Sequence, residues 1–253
     1  MASVVGSLAV GAPAAMNAVG PTDTQHTSPD VTLPQGVTEY YDPSTNEIVV
    51  VVGAPYSQDS YQVSTQYYMT EVNNGLNTTI YGTDTGDRIL LVDNASHSVF
   101  ADGGDDLIQN LGSGAGVLDG GAGNDFIIGG SGDETLIGGL GDDQIIGGAG
   151  HEVINGGAGS DTLTGGGGRD VFVFDNEVTS NDVITDFSAS DVLDISARGG
   201  QDGVVQQGVD YTIAQVGADT VITLLDHHDT ITLKNVSSDH LVQDPKGDGL
   251  FTI

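Results

Sequence analysis

Gly120 to Val173 reads GGAGNDFII GGSGDETLI GGLGDDQII GGAGHEVIN GGAGSDTLT GGGGRDVFV, one nine-residue phrase stated six times. Four columns hold through the copies. Glycines occupy positions 1, 2 and 4, a carboxylate nearly always position 6, and a large apolar residue most often position 8. The sixth column is Asp125, Glu134, Asp143, Glu152, Asp161 and Asp170, and the eighth is Ile127, Leu136, Ile145, Ile154, Leu163 and Phe172. A short fixed period of this kind outranks local propensity as a structural signal. A flexible glycine-rich linker would explain the glycines but not the two other columns.

The spacing predicts a coil. A six-residue glycine-rich turn followed by a three-residue strand makes half of a flattened coil, so two phrases close one turn. Residues 18 apart then stack at about the 4.8 Å strand spacing. One edge carries Asp125, Asp143 and Asp161, and the other carries Glu134, Glu152 and Asp170. Carboxylates stacked this closely repel unless cations lie between successive turns. Hard oxygen ligands, with no thiol or imidazole column, favour Ca²⁺ over zinc or copper. Glycine gives the turns dihedrals closed to other residues and lets backbone carbonyls face an ion.

The phrase GGxGxDxUx resembles the nonapeptide of the repeats-in-toxin (RTX) proteins, which form a parallel β-roll. The resemblance implies several Ca²⁺ ions, each held between one turn and the turn 18 residues on. Their ligands would be the carboxylates Asp125, Glu134, Asp143, Glu152, Asp161 and Asp170. Carbonyls of the glycine turns would join them: Gly121 and Gly123, Gly130 and Gly132, Gly139 and Gly141, Gly148 and Gly150, Gly157 and Gly159, Gly166 and Gly168. Fully sandwiched sites fall at 125/143, 143/161, 134/152 and 152/170, with half-sites at the ends. Asp170 is thus expected to be an end position, less damaging to lose than Asp143. Glu134 and Glu152 depart from the aspartate of the phrase, both on one edge, and weaker or distorted sites are expected there.

Composition agrees with a metal-stapled chain. Thirty-six acids face five bases over 253 residues, a net charge of −31, so nucleic acid and anionic membrane are poor direct partners. Fifteen of the acids lie in 82–174 and fourteen in 175–253. Without metal, repulsion and glycine entropy should leave the chain expanded, so that metal affinity becomes folding energy. Cysteine is absent, as suits an extracellular protein whose ions replace disulfides. The first 20 residues are small and apolar, but no lysine or arginine precedes Arg88, so the positive n-region of a cleaved signal is missing. The apolar run is also too short and too interrupted to span a membrane.

Residues 1–36 are expected to be disordered, and 37–81 to form a β-rich N-terminal segment. There TEYY and EIVVVV flank a turn at Asp42-Pro43-Ser44-Thr45-Asn46, Tyr61–Thr70 is a further strand candidate, and seven of the eight tyrosines fall between Tyr40 and Tyr81. That segment either caps the open end of the roll or offers a contact surface. The roll is assigned to 82–174, degenerate over 82–119. There Asp87 and Asp106 keep the carboxylate place and count as further metal ligands, His97 replaces it as a structural residue, and NLGSGAGVLD runs one residue long. Outward-facing Phe126, Ile128, Ile137 and Ile146 predict an apolar outer face at one end, covered by the tyrosine segment or by another molecule.

After Phe174 the period stops, and 175–253 is read as a C-terminal cap and secretion-signal region. Ile184, Phe187, Val192, Leu193 and Ile195 would close the core. Asp186, Asp191 and Asp194 are candidates for a further Ca²⁺ or plain surface acids. YTIAQV, TVITLL and TITLKNV predict an antiparallel meander, with His227 and His228 in a tight turn. The tail DGLFTI resembles the uncleaved export signal of type I secretion substrates, and deleting 248–253 is expected to block export without altering the fold.

No catalytic constellation emerges. His151-Glu152-Val153-Ile154-Asn155 begins like a zincin helix, but Asn155 stands where a second histidine is required, and no nucleophile elbow or P-loop occurs. The expectation is an all-β protein: a parallel β-roll with a small antiparallel β C-terminal cap and a short β-rich N-terminal segment. It would be secreted through the type I machinery, fold on extracellular Ca²⁺, and serve without catalysis at a cell surface, in a biofilm matrix or in adhesion. Self-assembly or an extracellular polysaccharide would supply its partners, and neither nucleic acid nor a transmembrane segment is expected. Two alternatives stand beside this: a toxin-like membrane-acting effector, and an accessory module for a polysaccharide or partner enzyme.

Overall fold

The computed structural model describes residues 75, 77–175, 180–197, 205–226, 228–246 and 249–253, together with the backbone alone of 198 and of strands at 4–5, 17–18, 37–42, 47–52, 60–62 and 68–72. The expectations for 1–36 as a whole, for the tyrosine side chains before Tyr81, for the turn at 43–46, and for His227 and Asp248 lie outside the described residues.

Each phrase turns once and then runs straight, so successive strands fall alternately into two sheets of 12 and 10 strands. In the first sheet Arg88–Leu91, Leu107–Asn110, Phe126–Gly130, Gln144–Gly150, Thr162–Gly168 and Asn181–Ile184 lie parallel in that order. In the second, Thr78–Thr83, His97–Asp102, Val117–Ala122, Thr135–Leu140, Val153–Ala158, Val171–Val173 and Val192–Asp194 do the same. This is the expected parallel β-roll.

The two-residue alternation of a strand explains the columns. Asp125, Ile127 and Gly129 point inward and are buried, while Phe126 and Ile128 point outward and are half-buried. Ile89, Ile108, Ile127, Ile145, Leu163 and Ile184 line the inside of one sheet. Ile80, Val99, Leu118, Leu136, Ile154, Phe172 and Leu193 line the other, none more than 2% exposed. One such side chain per nine residues contributes roughly 1.5–3 kcal/mol. Ordering nine backbones costs roughly 1 kcal/mol or more apiece. The apolar core alone is therefore thin.

The coil length changes along the axis. Ile127, Ile145 and Leu163 are register partners in 18-residue steps, whereas Ile89, Ile108 and Ile127 step by 19 and Leu163 reaches Ile184 in 21. The residue too many in NLGSGAGVLD is thus shared by every upstream coil and absorbed in the turns. Parallel pairing also runs past the sequence repeat at both ends. Upstream, Glu47–Val52 pairs with Tyr68–Val72, which pairs with Arg88–Leu91. Val37–Asp42 closes that sheet as the expected antiparallel hairpin. The single strand expected over Tyr61–Thr70 is instead two, Ser60–Gln62 and Tyr68–Val72, one in each sheet.

Downstream, Tyr211–Val216, Asp219–Leu224 and Thr230–Leu233 form the expected meander, whose last strand lies parallel to Asn181–Ile184. Ile184, Leu193 and Ile195 are fully buried and Phe187 and Val192 nearly so, as expected of the closing residues. The tail corrects the sequence reading. Leu250–Thr252 pairs antiparallel with Val192–Asp194, and Phe251 is 1% exposed in the core cluster. Residues 249–253 are structural, because the last coil needs a strand over its open edge.

The outer apolar face is also corrected. Phe126, Ile128 and Ile146 share the first sheet, but Ile137 lies on the second, since alternate phrases enter opposite sheets.

Candidate metal sites

At position 6 the strand's inward alternation carries a carboxylate into the interior of each turn. On the first edge these groups form a ladder. The Asp125 N–H donates to Asp143 Oδ1 at 2.7 Å, the Asp143 N–H to Asp161 Oδ1 at 2.8 Å, and the Asp161 N–H to Asp182 Oδ1 at 2.9 Å. Upstream, the Asp87 N–H donates to Asp106 Oδ1 and the Asp106 N–H to Asp125 Oδ1, at 2.5 and 2.8 Å. On the second edge the Glu152 N–H donates to Asp170 Oδ1 and the Asp170 N–H to Asp191 Oδ1, both at 3.1 Å. Asp170 is therefore not the last rung, as the sequence had it, because Asp191 continues the edge.

Each rung uses one oxygen and leaves the other bare. Asp87 Oδ1, the Oδ2 atoms of Asp106, Asp125, Asp143, Asp161, Asp170 and Asp182, Glu134 Oε2, and both Glu152 oxygens are buried without a hydrogen-bond partner. Native proteins leave few such atoms, and each costs about 1–3 kcal/mol or more when charged. The bare oxygens lie over position-1 glycines: a Cβ on Gly120, Gly138 or Gly156 would strike Oδ2 of Asp125, Asp143 or Asp161. At Gly139, φ is +116° and a Cβ would collide with the Gly121 carbonyl, so only glycine lets neighbouring turns approach this closely.

A row of hard, anionic, unpartnered oxygens fits a divalent cation with oxygen preference. Among the described residues no three acidic or imidazole side chains converge on one point. An ion here would therefore take one or two carboxylates and complete its shell with the carbonyls of the glycine turns. When bound it supplies the positive charge that the edge lacks. On the first edge, Asp125, Asp143 and Asp161 would hold it with Gly121, Gly123, Gly139, Gly141, Gly157 and Gly159; Asp87 and Asp106 extend the same column upstream.

The glutamate turns differ in geometry. The extra methylene carries Glu134 Oε1 and Glu152 Oε1 to the position-4 glycines Gly132 and Gly150, where a Cβ would meet them. Glu152 accepts no N–H from the turn before it. Gly123, Gly141, Gly159 and Gly168 all have φ between 127° and 143°, whereas Gly132 and Gly150 are absent from the positive-φ set. Asn110 Nδ2 donates to Glu134 Oε1 at 3.2 Å, and Gly116, not a carboxylate, fills the preceding place on that edge. Gly130, Gly148, Gly157 and Gly166 keep the positive φ of position 2.

Burial dominates the electrostatics. It pushes Asp106 up to about 8 against the pull of the Asp87 N–H, with Asp125, Asp87 and Asp105 adding repulsion. It likewise raises Asp143 and Glu134 to about 7 and Asp161 to about 6. Glu152 is raised by burial and then by Asp170. A carboxylate whose folded pKa exceeds its unfolded value near 4 stabilises the fold below that value and loses the contribution as pH rises through the folded pKa. The metal-free chain should therefore gain β-structure on acidification from pH 8 to 5. The Ca²⁺ midpoint should rise over the same range as protons compete with the ion. Far-UV circular dichroism in EDTA checks this, and a metal-free chain better folded at pH 8 than at pH 5 would contradict it.

Sequence reasoning missed two things. The first is a counter-running ladder at position 5: the Asn124 N–H donates to Asp105 Oδ1, the Asp142 N–H to Asn124 Oδ1 and the Ser160 N–H to Asp142 Oδ1, each at 2.8 Å. On the other edge the His151 N–H donates to Asp133 Oδ1 and the Arg169 N–H to His151 Nδ1, both at 2.9 Å. The run of Asn, Asp and His at position 5 was the available signal. It gives His151, the start of the false zincin motif, a turn-stapling role. The second is Asp182, 1% exposed and two residues before buried Ile184, the same spacing as positions 6 and 8. Of the three acids suggested for the cap, Asp191 joins the ladder. Asp186 instead accepts the N–H groups of Gly165 and Gly166, and Asp194 that of Ser196. His97 is buried, with Nε2 2.9 Å from Asp93 Oδ1.

Comparison with known proteins agrees with this geometry. Residues 111–145 and 146–176 match the family model of the RTX calcium-binding nonapeptide repeat (4 copies). No curated protein matches. Among solved structures, the extracellular lipase LipA from Serratia marcescens aligns at 19% identity with a TM-score of 0.35, over 76% of this chain and 41% of that one. This chain thus spans about two fifths of that lipase's length. Among the described residues no helix is long and apolar enough to cross a membrane.

Proposed function

This chain being an RTX-type calcium-binding β-roll protein, we propose that it is a secreted, non-catalytic component of a cell surface or extracellular matrix, folded by extracellular Ca²⁺ and acting by adhesion or self-association. The observation that carries the reading is the column of buried carboxylates with one oxygen bare at every rung. A fold so built is stable only where the cation is abundant, and the coupling of metal binding to folding makes Ca²⁺ concentration the switch. Export by the type I machinery belongs to the same reading. The tail around Phe251 is buried once the roll forms, so it can be recognised only in the metal-free chain.

The test is circular dichroism with light scattering while Ca²⁺ rises from micromolar to about 10 mM, the span of extracellular affinities. β-Structure should appear cooperatively, with large assemblies forming in the same range. Folding without assembly would remove self-association and leave adhesion to a glycan or protein, which pull-downs with and without EDTA address. A chain equally folded in EDTA would sink the proposal.

A further inference from the structure

Away from both carboxylate edges, the outer face of the second sheet carries a feature that Ca²⁺ binding does not use. Tyr81, Phe100 and Asp119 are register partners on three successive strands and point outward in one row. The two rings stack with centroids 5.7 Å apart and planes 19° from parallel. Stacking along the row turns the second face of Phe100 toward Asp119. Two residues beyond Phe100 on the same face stands Asp102, exposed and held at φ +76°. Its neighbour on the next strand is Gly121, whose missing side chain leaves the surface open. The result is a cavity of about 480 Å³ lined by Tyr81, Gly82, Phe100, Asp102, Asp119 and Gly121.

From this geometry we propose that the cavity binds an organic ammonium group, with Phe100 as its aromatic wall and Asp119 and Asp102 as its counter-charges. An aromatic face is the negative pole of the ring's quadrupole, so a carboxylate set beside it is an unfavourable neighbour until a cation lies between them. Among the described residues neither carboxylate has a lysine or arginine partner. Burial raises the pKa of Asp119 with no cation offsetting it. A neutral sugar would leave both charges uncompensated. Ca²⁺ seeks six to eight oxygens, more than two carboxylates beside a hydrocarbon wall supply. An alkylammonium matches both halves of the site, presenting charge to the acids and CH groups to the ring. A lysine side chain on a partner and a quaternary headgroup share that chemistry.

The experiment uses the full chain in about 10 mM Ca²⁺, so that the roll is folded and any Ca²⁺ with a claim on the cavity already occupies it. Binding of n-butylammonium, tetramethylammonium and cellobiose is followed by chemical-shift titration. At least one ammonium should saturate with Kd of about 1–10 mM, and Phe100→Leu and Asp119→Asn should each weaken it about tenfold with unchanged circular dichroism. Preference for n-butylammonium indicates a lysine-like ligand, and preference for tetramethylammonium a quaternary headgroup. Failure of both ammonium probes to saturate, undiminished binding in both variants, or saturation by cellobiose alone overturns the proposal.

Discussion

Asp143→Asn is expected to raise the Ca²⁺ midpoint of folding by about tenfold or more while leaving the metal-free chain no less stable than the parent. The substitution separates two roles that one side chain performs. Asp143 Oδ1 accepts the Asp125 N–H at 2.7 Å, and an asparagine keeps that acceptor. Asp143 Oδ2 is bare, and replacing it by an amide removes the anionic ligand from the turns on either side. Calcium affinity in oxygen sites scales over decades with the number of charged ligands, so two neighbouring ions lose together. In EDTA the same change deletes a carboxylate that burial and its neighbours Asp161, Asp125 and Asp142 have raised to about 7, and so relieves the metal-free fold. Asp143→Ala should be worse in both states, since it also strands a buried N–H at about 1–3 kcal/mol. Asp87→Asn, at the upstream end of the ladder, should shift the midpoint less. Calcium titrations of the three variants by circular dichroism decide the matter. A parental midpoint for Asp143→Asn would mean that the ladder is hydrogen-bonded scaffolding and nothing more.

The columns of the repeat were legible because each answers to one physical demand. The eighth position must fill the narrow interior, the sixth must face inward at the turn, and the first must have no side chain, since the carboxylate lies over it. Ile127, Asp125 and Gly120 could therefore be placed from spacing alone, and the roll and its two edges followed. What stayed hidden was whatever leaves the period. Asp182 and Asp191 extend the two carboxylate edges beyond the last phrase, but each sits 21 residues after its partner, a step that no 18-residue rule anticipates. Ile137 went astray because a one-dimensional pattern does not say which sheet an outward residue joins. The stacked pair of Tyr81 and Phe100 escaped because its members are 19 residues apart in degenerate copies, where neither residue belongs to a column.

The tail was misread for a related reason, and the error yields the second large effect. An acid followed by apolar residues at a chain end resembles an address, and an address should be dispensable to the fold. Phe251, however, is 1% exposed and meets the Tyr211 ring edge-on, with centroids 5.2 Å apart. Its strand is held by the Ile195 N–H donating to the Gly249 carbonyl and the Asp244 N–H donating to the Leu250 carbonyl, each at 2.9 Å. Phe251→Ala should therefore lower the stability of the Ca²⁺-saturated protein by about 3–5 kcal/mol, the usual loss for a buried phenylalanine. For a chain of this size that corresponds to a drop of roughly 10 °C in Tm. Removing residues 249–253 should do more, because the strand Val192–Asp194 then loses its antiparallel partner and exposes an edge. Calorimetry at saturating Ca²⁺ gives the comparison. If the truncated chain melted with the parent, the C-terminal strand would be ornamental and the export reading of the tail could stand by itself. If it melts early, secretion assays on truncated chains confound export with folding. The address is then to be sought with Thr252 or Ile253 substitutions, which spare Phe251.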